Sequence, residues 1–73
     1  MKVKDVLLIK LDTFEIFVDI YVNEKNYLKI LKSLRGYSFE DLEDDLKEFF
    51  ECEIEKIEIE YENNIMIVLK NIS

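Results

Sequence analysis

The sequence predicts an α+β fold, with a small antiparallel β-sheet of about four strands and a principal amphipathic helix over about 38–50 packed on one face. Three observations predict it. Residues 13–22 alternate with period two, residues 38–50 carry an apolar stripe at helical spacing, and an asparagine pair separates alternating residues 51–62 from the apolar run 65–69. The chain has 73 residues, 49% of them hydrophobic, with one glycine and no proline. That composition describes a packed chain rather than a disordered one, and its length fits a single domain over 1–73.

Residues 2–11 fit two patterns. Val3, Val6, Leu7 and Leu11 share a helical face, while Val3, Leu7, Ile9 and Leu11 fit an alternating strand. Residues 13–22 read as a strand. Phe14, Ile16, Val18, Ile20 and Val22 face the core, and Phe17 and Tyr21 lie on the other face. On that face they either pack under a second layer or form an apolar surface patch. Asn23 to Asn26 is a turn signal. Residues 27–35 are divided. Tyr27, Ile30, Leu31 and Leu34 follow helical spacing with Gly36 as a stop, and a hairpin strand returning along 13–22 is the rival.

The helix over 38–50 has Ser38 as N-cap and Asp41 three residues on. Phe39, Leu42, Leu46, Phe49 and Phe50 form its apolar stripe, with Glu40, Asp41, Asp44, Asp45 and Glu48 opposite. Beyond it, Cys52 and Ile54 alternate with acids until the phase slips at Glu55-Lys56. Ile57, Ile59 and Tyr61 then point one way, and Glu58, Glu60 and Glu62 the other. A slip of one residue reverses the faces, so a bulge or bend is expected there. Asn63-Asn64 suits a hairpin turn, because asparagine tolerates positive φ. Ile65 to Leu69 is apolar throughout and suits an interior strand.

The charge is segregated. The formal net charge is −7, yet residues 40–62 hold twelve acids against Lys47 and Lys56, a net of −10. An acidic surface repels nucleic acid and attracts basic protein grooves, so no direct nucleic-acid binding is expected. The charge also disfavours anionic membrane surfaces, and no stretch is long and apolar enough to span a membrane. The apolar run Val6–Ile9 is too short for a signal sequence, and the single Cys52 cannot form an internal disulfide. A cytoplasmic protein is therefore expected. Cys52 reads as a structural residue, since Glu51 and Glu53 beside it disfavour a thiolate.

Most catalytic chemistries lack their residues. Without histidine there is no Ser-His or Cys-His nucleophile system, and one glycine cannot build a phosphate-binding loop. Asp44 with Asp45, or Asp41 with Asp45, could ligate a divalent cation. EF-hand spacing is absent, however, and a solvated acidic helix face accounts for them. A chain this small leaves little volume for a catalytic cleft. The expectation is a non-enzyme without cofactor or metal.

The order of segments resembles a set of small proteins encoded by phages and conjugative elements of Gram-positive bacteria. Val3-Lys4-Asp5-Val6-Leu7 corresponds to their opening, Asp12 to Tyr21 to their first strand, and Gly36 with Phe39-Glu40-Asp41-Leu42 to a glycine before an acidic segment. Ile57 to Leu69 corresponds to their terminal hairpin, and segment 40–62 is longer and more acidic than the pattern. The resemblance implies a short N-terminal helix and a strand over 27–35, and these are the assignments adopted. Some similarly small, acidic mobile-element proteins are anti-CRISPR proteins, which block an effector nuclease, often by occupying its nucleic-acid groove.

The resulting expectation is an inhibitor of a host nucleic-acid-binding defence protein, of the anti-CRISPR type and located in the host cytoplasm. Its acidic surface would meet a basic protein groove through Glu40, Asp41, Asp44, Asp45, Glu48, Glu58, Glu60 and Glu62. The alternative is a non-enzymatic structural or regulatory subunit that pairs with itself or another protein. A homodimer of this kind would use Phe17, Tyr21 and a free strand edge.

Overall fold

Two hairpins supply the sheet in a computed structural model that describes residues 1–70. Strand β1 (Ile16–Glu24) turns through Lys25-Asn26 into β2 (Tyr27–Gly36), and β3 (Ile54–Glu60) turns into β4 (Asn64–Leu69). The fold is α+β, with a four-stranded sheet in the order β2-β1-β4-β3. Residues 27–35 are thus strand. Their helical spacing yields to pairing along β1, from Glu24 opposite Tyr27 to Ile16 opposite Gly36.

The sheet is mixed rather than wholly antiparallel, because β1 and β4 run parallel. The crossing segment explains this. β2 ends at Gly36 beside Ile16, whereas β3 begins at Ile54 beside Leu69, in the same row as Val22. Residues 37–53 therefore carry the chain back along the sheet before β3 enters. β3 then runs parallel to β2, and its hairpin partner β4 runs parallel to β1. Both interior strands are the most apolar ones, as the continuous run Ile65–Leu69 predicts.

The crossing segment is helical in three short pieces instead of one helix. A 3-10 turn (Glu40–Leu42), α1 (Glu43–Leu46) and a second 3-10 turn (Lys47–Phe49) follow one another. The N-cap of the first piece is Phe39 and not Ser38, although the Asp41 N–H still donates to Ser38 Oγ at 3.3 Å. The Asp41 carboxylate accepts from the Tyr37 N–H at 3.0 Å. Phe39, Leu42 and Leu46 are buried against the sheet, while Phe49 and Phe50 are half-buried at its margin. The N-terminal piece is a 3-10 helix (Val3–Leu8), started by the Asp5 carboxylate, which accepts from the Lys2 N–H at 2.8 Å. It buries Val3 and Val6 beside the crossing segment. Its hold there includes the Val3 N–H donating to the Cys52 carbonyl at 3.0 Å.

Ile16, Val18 and Ile20 of β1, with Ile65, Ile67 and Leu69 of β4, meet these helical pieces and form the core. Phe14 does not continue that face. It is 90% exposed and precedes β1, where no strand pairing enforces the alternation. Cys52 is half-buried against the core margin. The bulge expected at Glu55-Lys56 is present, since Ile54 pairs with Leu69 and Lys56 with Val68, leaving Glu55 extra. Tyr61 lies in the β3–β4 turn and is 84% exposed, so it does not continue the inward face of Ile57 and Ile59. The positive φ angles of that turn fall on Tyr61 (53°) and Glu62 (68°), not on the asparagines. Asn64 is already paired with Glu60 and Phe17, and the Asn63 carbonyl accepts from the Phe17 N–H at 2.9 Å. The turn therefore spans Tyr61 to Asn63, and only Asn64 of the pair belongs to β4.

Gly36 is required by close approach. A Cβ there would meet Leu42 Cδ2 at 2.9 Å and Cγ at 3.3 Å. Leu42 is itself buried, so it has little room to move. Gly36→Ala is expected to cost about 1 kcal/mol and Gly36→Val about 3 kcal/mol, within the range for overpacking. Urea denaturation of both variants checks this, and equal midpoints for wild type and Gly36→Val would refute it.

Candidate functional site

The buried positions of the crossing segment orient its acids. With Phe39, Leu42 and Leu46 turned inward, Glu40, Asp41, Asp44, Asp45 and Glu48 all lie exposed on the outer side. Glu43, which the candidate set omitted, is exposed among them. Its spacing, four residues after Phe39 and three before Leu46, places it beside the apolar stripe, so its charge alone was the available signal. These carboxylates are interleaved with lysines. Lys10 Nζ lies 2.9 Å from Glu40 Oε1, Lys32 Nζ 2.8 Å from Glu48 Oε1, and Lys47 Nζ 4.0 Å from Asp44 Oδ1. Lys32 is held above the usual lysine range, chiefly by its hydrogen bond to Glu48. Asp41 and Asp45 carry no ion pair among the described residues.

Such exposed pairs contribute only about 0–1 kcal/mol each, so they do not prevent a cationic partner from taking the same carboxylates. Asp44 is open, with its side chain 96% exposed. Near the N-terminus Glu51 meets both Lys2 (2.8 Å) and Lys4 (3.3 Å). Hydrogen bonds from these two ammonium groups hold its carboxyl below the usual range.

The remaining candidates lie elsewhere. Ile57 pairs with Ile67 and Ile59 with Ile65, so the β3 residues between them, Glu58 and Glu60, project from the opposite face of the sheet. Glu58 is paired there with Lys56 at 2.9 Å, which raises the lysine's pKa. Glu62 sits in the hairpin turn. The eight candidate carboxylates therefore do not form one surface. Five lie outside the helical layer, two lie across the sheet, and one is at its end.

That other face of the sheet has no helical cover. Phe17, Asp19 and Tyr21 of β1, Ser33 and Arg35 of β2, and Asn64, Met66 and Glu60 line a shallow hollow of about 520 Å³ on it. Phe17 and Tyr21 were expected on this side, where they form a surface patch rather than pack under a second layer. Arg35 joins them only through its register opposite Phe17, which the sequence does not display.

Among the described residues, no polar or charged side chain is buried, and no group of three or more His, Cys, Asp or Glu side chains is arranged to hold a metal ion. No helix among them is long and apolar enough to cross a membrane. No protein-family model, curated protein or solved structure matches the chain.

Proposed function

We propose that this protein is a non-catalytic binding module whose helical acidic face docks into the basic groove of a nucleic-acid-binding protein and blocks it. In the form suggested by its resemblance to small mobile-element proteins, the target is a host defence nuclease and the module an anti-CRISPR-type inhibitor. The observation that carries this reading is the outward array Glu40, Asp41, Glu43, Asp44, Asp45 and Glu48, exposed on a layer whose inner side is anchored in the core. A nucleic-acid groove is built to meet one phosphate charge per about 1.7 Å of duplex axis, and so is densely cationic. Such a groove can strip Lys10, Lys32 and Lys47 from their exposed partners at small cost. Glu58 and Glu60 face away from this layer and belong to a different surface.

The test is capture of binding proteins on the immobilised chain at about 0.1 M and about 1 M salt, between which the Debye length falls from about 10 Å to about 3 Å. Partners should be retained at low salt, lost at high salt, and released by added duplex DNA or RNA. Retention of the same partners against excess nucleic acid would show that the module does not occupy a nucleic-acid groove.

A further inference from the structure

The uncovered face of the sheet carries a second surface. Rows run across it through the strand pairings. One row reads Arg35, Phe17, Asn64, Glu60, and the next reads Ser33, Asp19, Met66, Glu58. Beyond them the third row reads Ile30, Tyr21, Val68, Lys56, apolar except for the lysine, which is paired with Glu58 at 2.9 Å. Phe17 is 37% and Ile30 51% exposed, whereas Val68 is buried although it lies outside the main core. The first row ends in a cation on one sheet edge and an anion on the other. Arg35 uses only its Nε, toward Glu15 at 2.8 Å, and neither its terminal nitrogens nor Glu60 has a charged partner among the described residues.

We propose that two copies of this chain pair through these faces, about a two-fold axis parallel to the strands. This rotation lays β2 of one copy over β3 of the other. Arg35 then faces the second copy's Glu60 at both ends of the interface, Tyr21 covers Val68, and Phe17 lies over Asn64 beside Met66. A two-fold across the strands would instead lay each element over its own copy. That sets Glu58 against Glu58 and Asp19 against Asp19, brings Glu60 only to a Lys56 already paired with Glu58, and leaves Arg35 opposite Ile30, so the Arg35–Glu60 match selects the first axis. Edge pairing is blunted on both sides. β2 has an extra residue at Leu31 and carries Lys29, Lys32 and Arg35, while β3 has one at Glu55 and carries acids. The hollow around Asp19 and Ser33 remains wet, as polar interface groups tolerate. Four strands of six residues present a face of about 400 Å² per copy. The pair therefore lies at the low end of specific interfaces, and is reversible rather than permanent.

The test is sedimentation equilibrium at low salt from micromolar to millimolar protein, with circular dichroism to confirm that each variant folds. The wild type should change from monomer to dimer across this range. Arg35→Glu and Glu60→Arg should each weaken the dimer by about tenfold or more, and the double exchange should restore it, since the two charges face each other. Phe17→Lys, outside the core, should leave a folded monomer. A wild type that stays monomeric throughout overturns the proposal, as does a dimer indifferent to Phe17→Lys. A double exchange no better than either single one overturns the proposed axis.

Discussion

Leu46→Ala is expected to lower stability by about 2–5 kcal/mol, the range for truncating a buried leucine. Leu46 is fully buried and lies in α1, which has only four residues. A helix that short has no stability of its own in water, so tertiary burial must hold it. Phe39, Leu42 and Leu46 are the residues that hold the layer to the sheet. Domains of ordinary size have about 5–15 kcal/mol in total, and small ones sit low in that range, so the loss is a large share. Urea denaturation should show a lower midpoint with little change in slope. Phe14→Ala is the control. Its side chain is 90% exposed and its replacement should change stability by no more than about 0.5 kcal/mol. A Leu46→Ala midpoint as close to wild type as that of Phe14→Ala would mean that the helical layer is not held by this residue.

Asp44→Lys/Asp45→Lys is expected to weaken target binding by about 100-fold or more at low salt, about 2.7 kcal/mol. Each replacement turns an attraction for a cationic groove into a repulsion, and like charges brought together at an interface cost several kcal/mol. These two residues are the better pair to change, because Glu48 holds Lys32 at 2.8 Å, whereas Asp44 meets Lys47 only at 4.0 Å and Asp45 has no ion pair among the described residues. Asp44 and Asp45 are exposed, so the fold should survive. Glu58→Lys/Glu60→Lys, on the far face of the sheet, should bind like wild type at concentrations below self-association. The wild-type affinity should fall steeply with salt and that of the Asp44/Asp45 variant should not. If both variants bind like wild type at low salt, the acidic docking face is wrong. If only the Glu58/Glu60 variant loses binding, the partner meets the open face of the sheet.

Both predictions depend on features that differ in how far the sequence discloses them. The inward set Phe39, Leu42 and Leu46 is legible directly, because a period near 3.6 in the chain becomes one face in space. The bulge at Glu55 is legible for the same reason, as a break in a period of two. So is the interior position of β4, from its unbroken apolar run. Residues 27–35 show where local pattern misleads. Their spacing favours a helix, yet ten residues from Tyr27 to Gly36 pair along β1, because a strand beside β1 satisfies its backbone groups. The β3–β4 turn is a second case, since Asn64 pairs with β1 and β3 and the positive φ angles fall on Tyr61 and Glu62 instead of the asparagines.

The α+β composition, the amphipathic crossing segment, the segregation of charge and the lack of histidine are legible from the residues alone. Each of these is a property of residue types or of neighbours within a few positions. The parallel pairing of β1 with β4, the position of Glu58 and Glu60 across the sheet from Asp44 and Asp45, and the row that ends in Arg35 and Glu60 emerge only when the strands are assembled. Those facts depend on which strands pair and in what register. Pairing is set by the joint burial of residues far apart in the chain, here Ile16, Val18 and Ile20 with Ile65, Ile67 and Leu69 beneath the helical layer, and no local period encodes it.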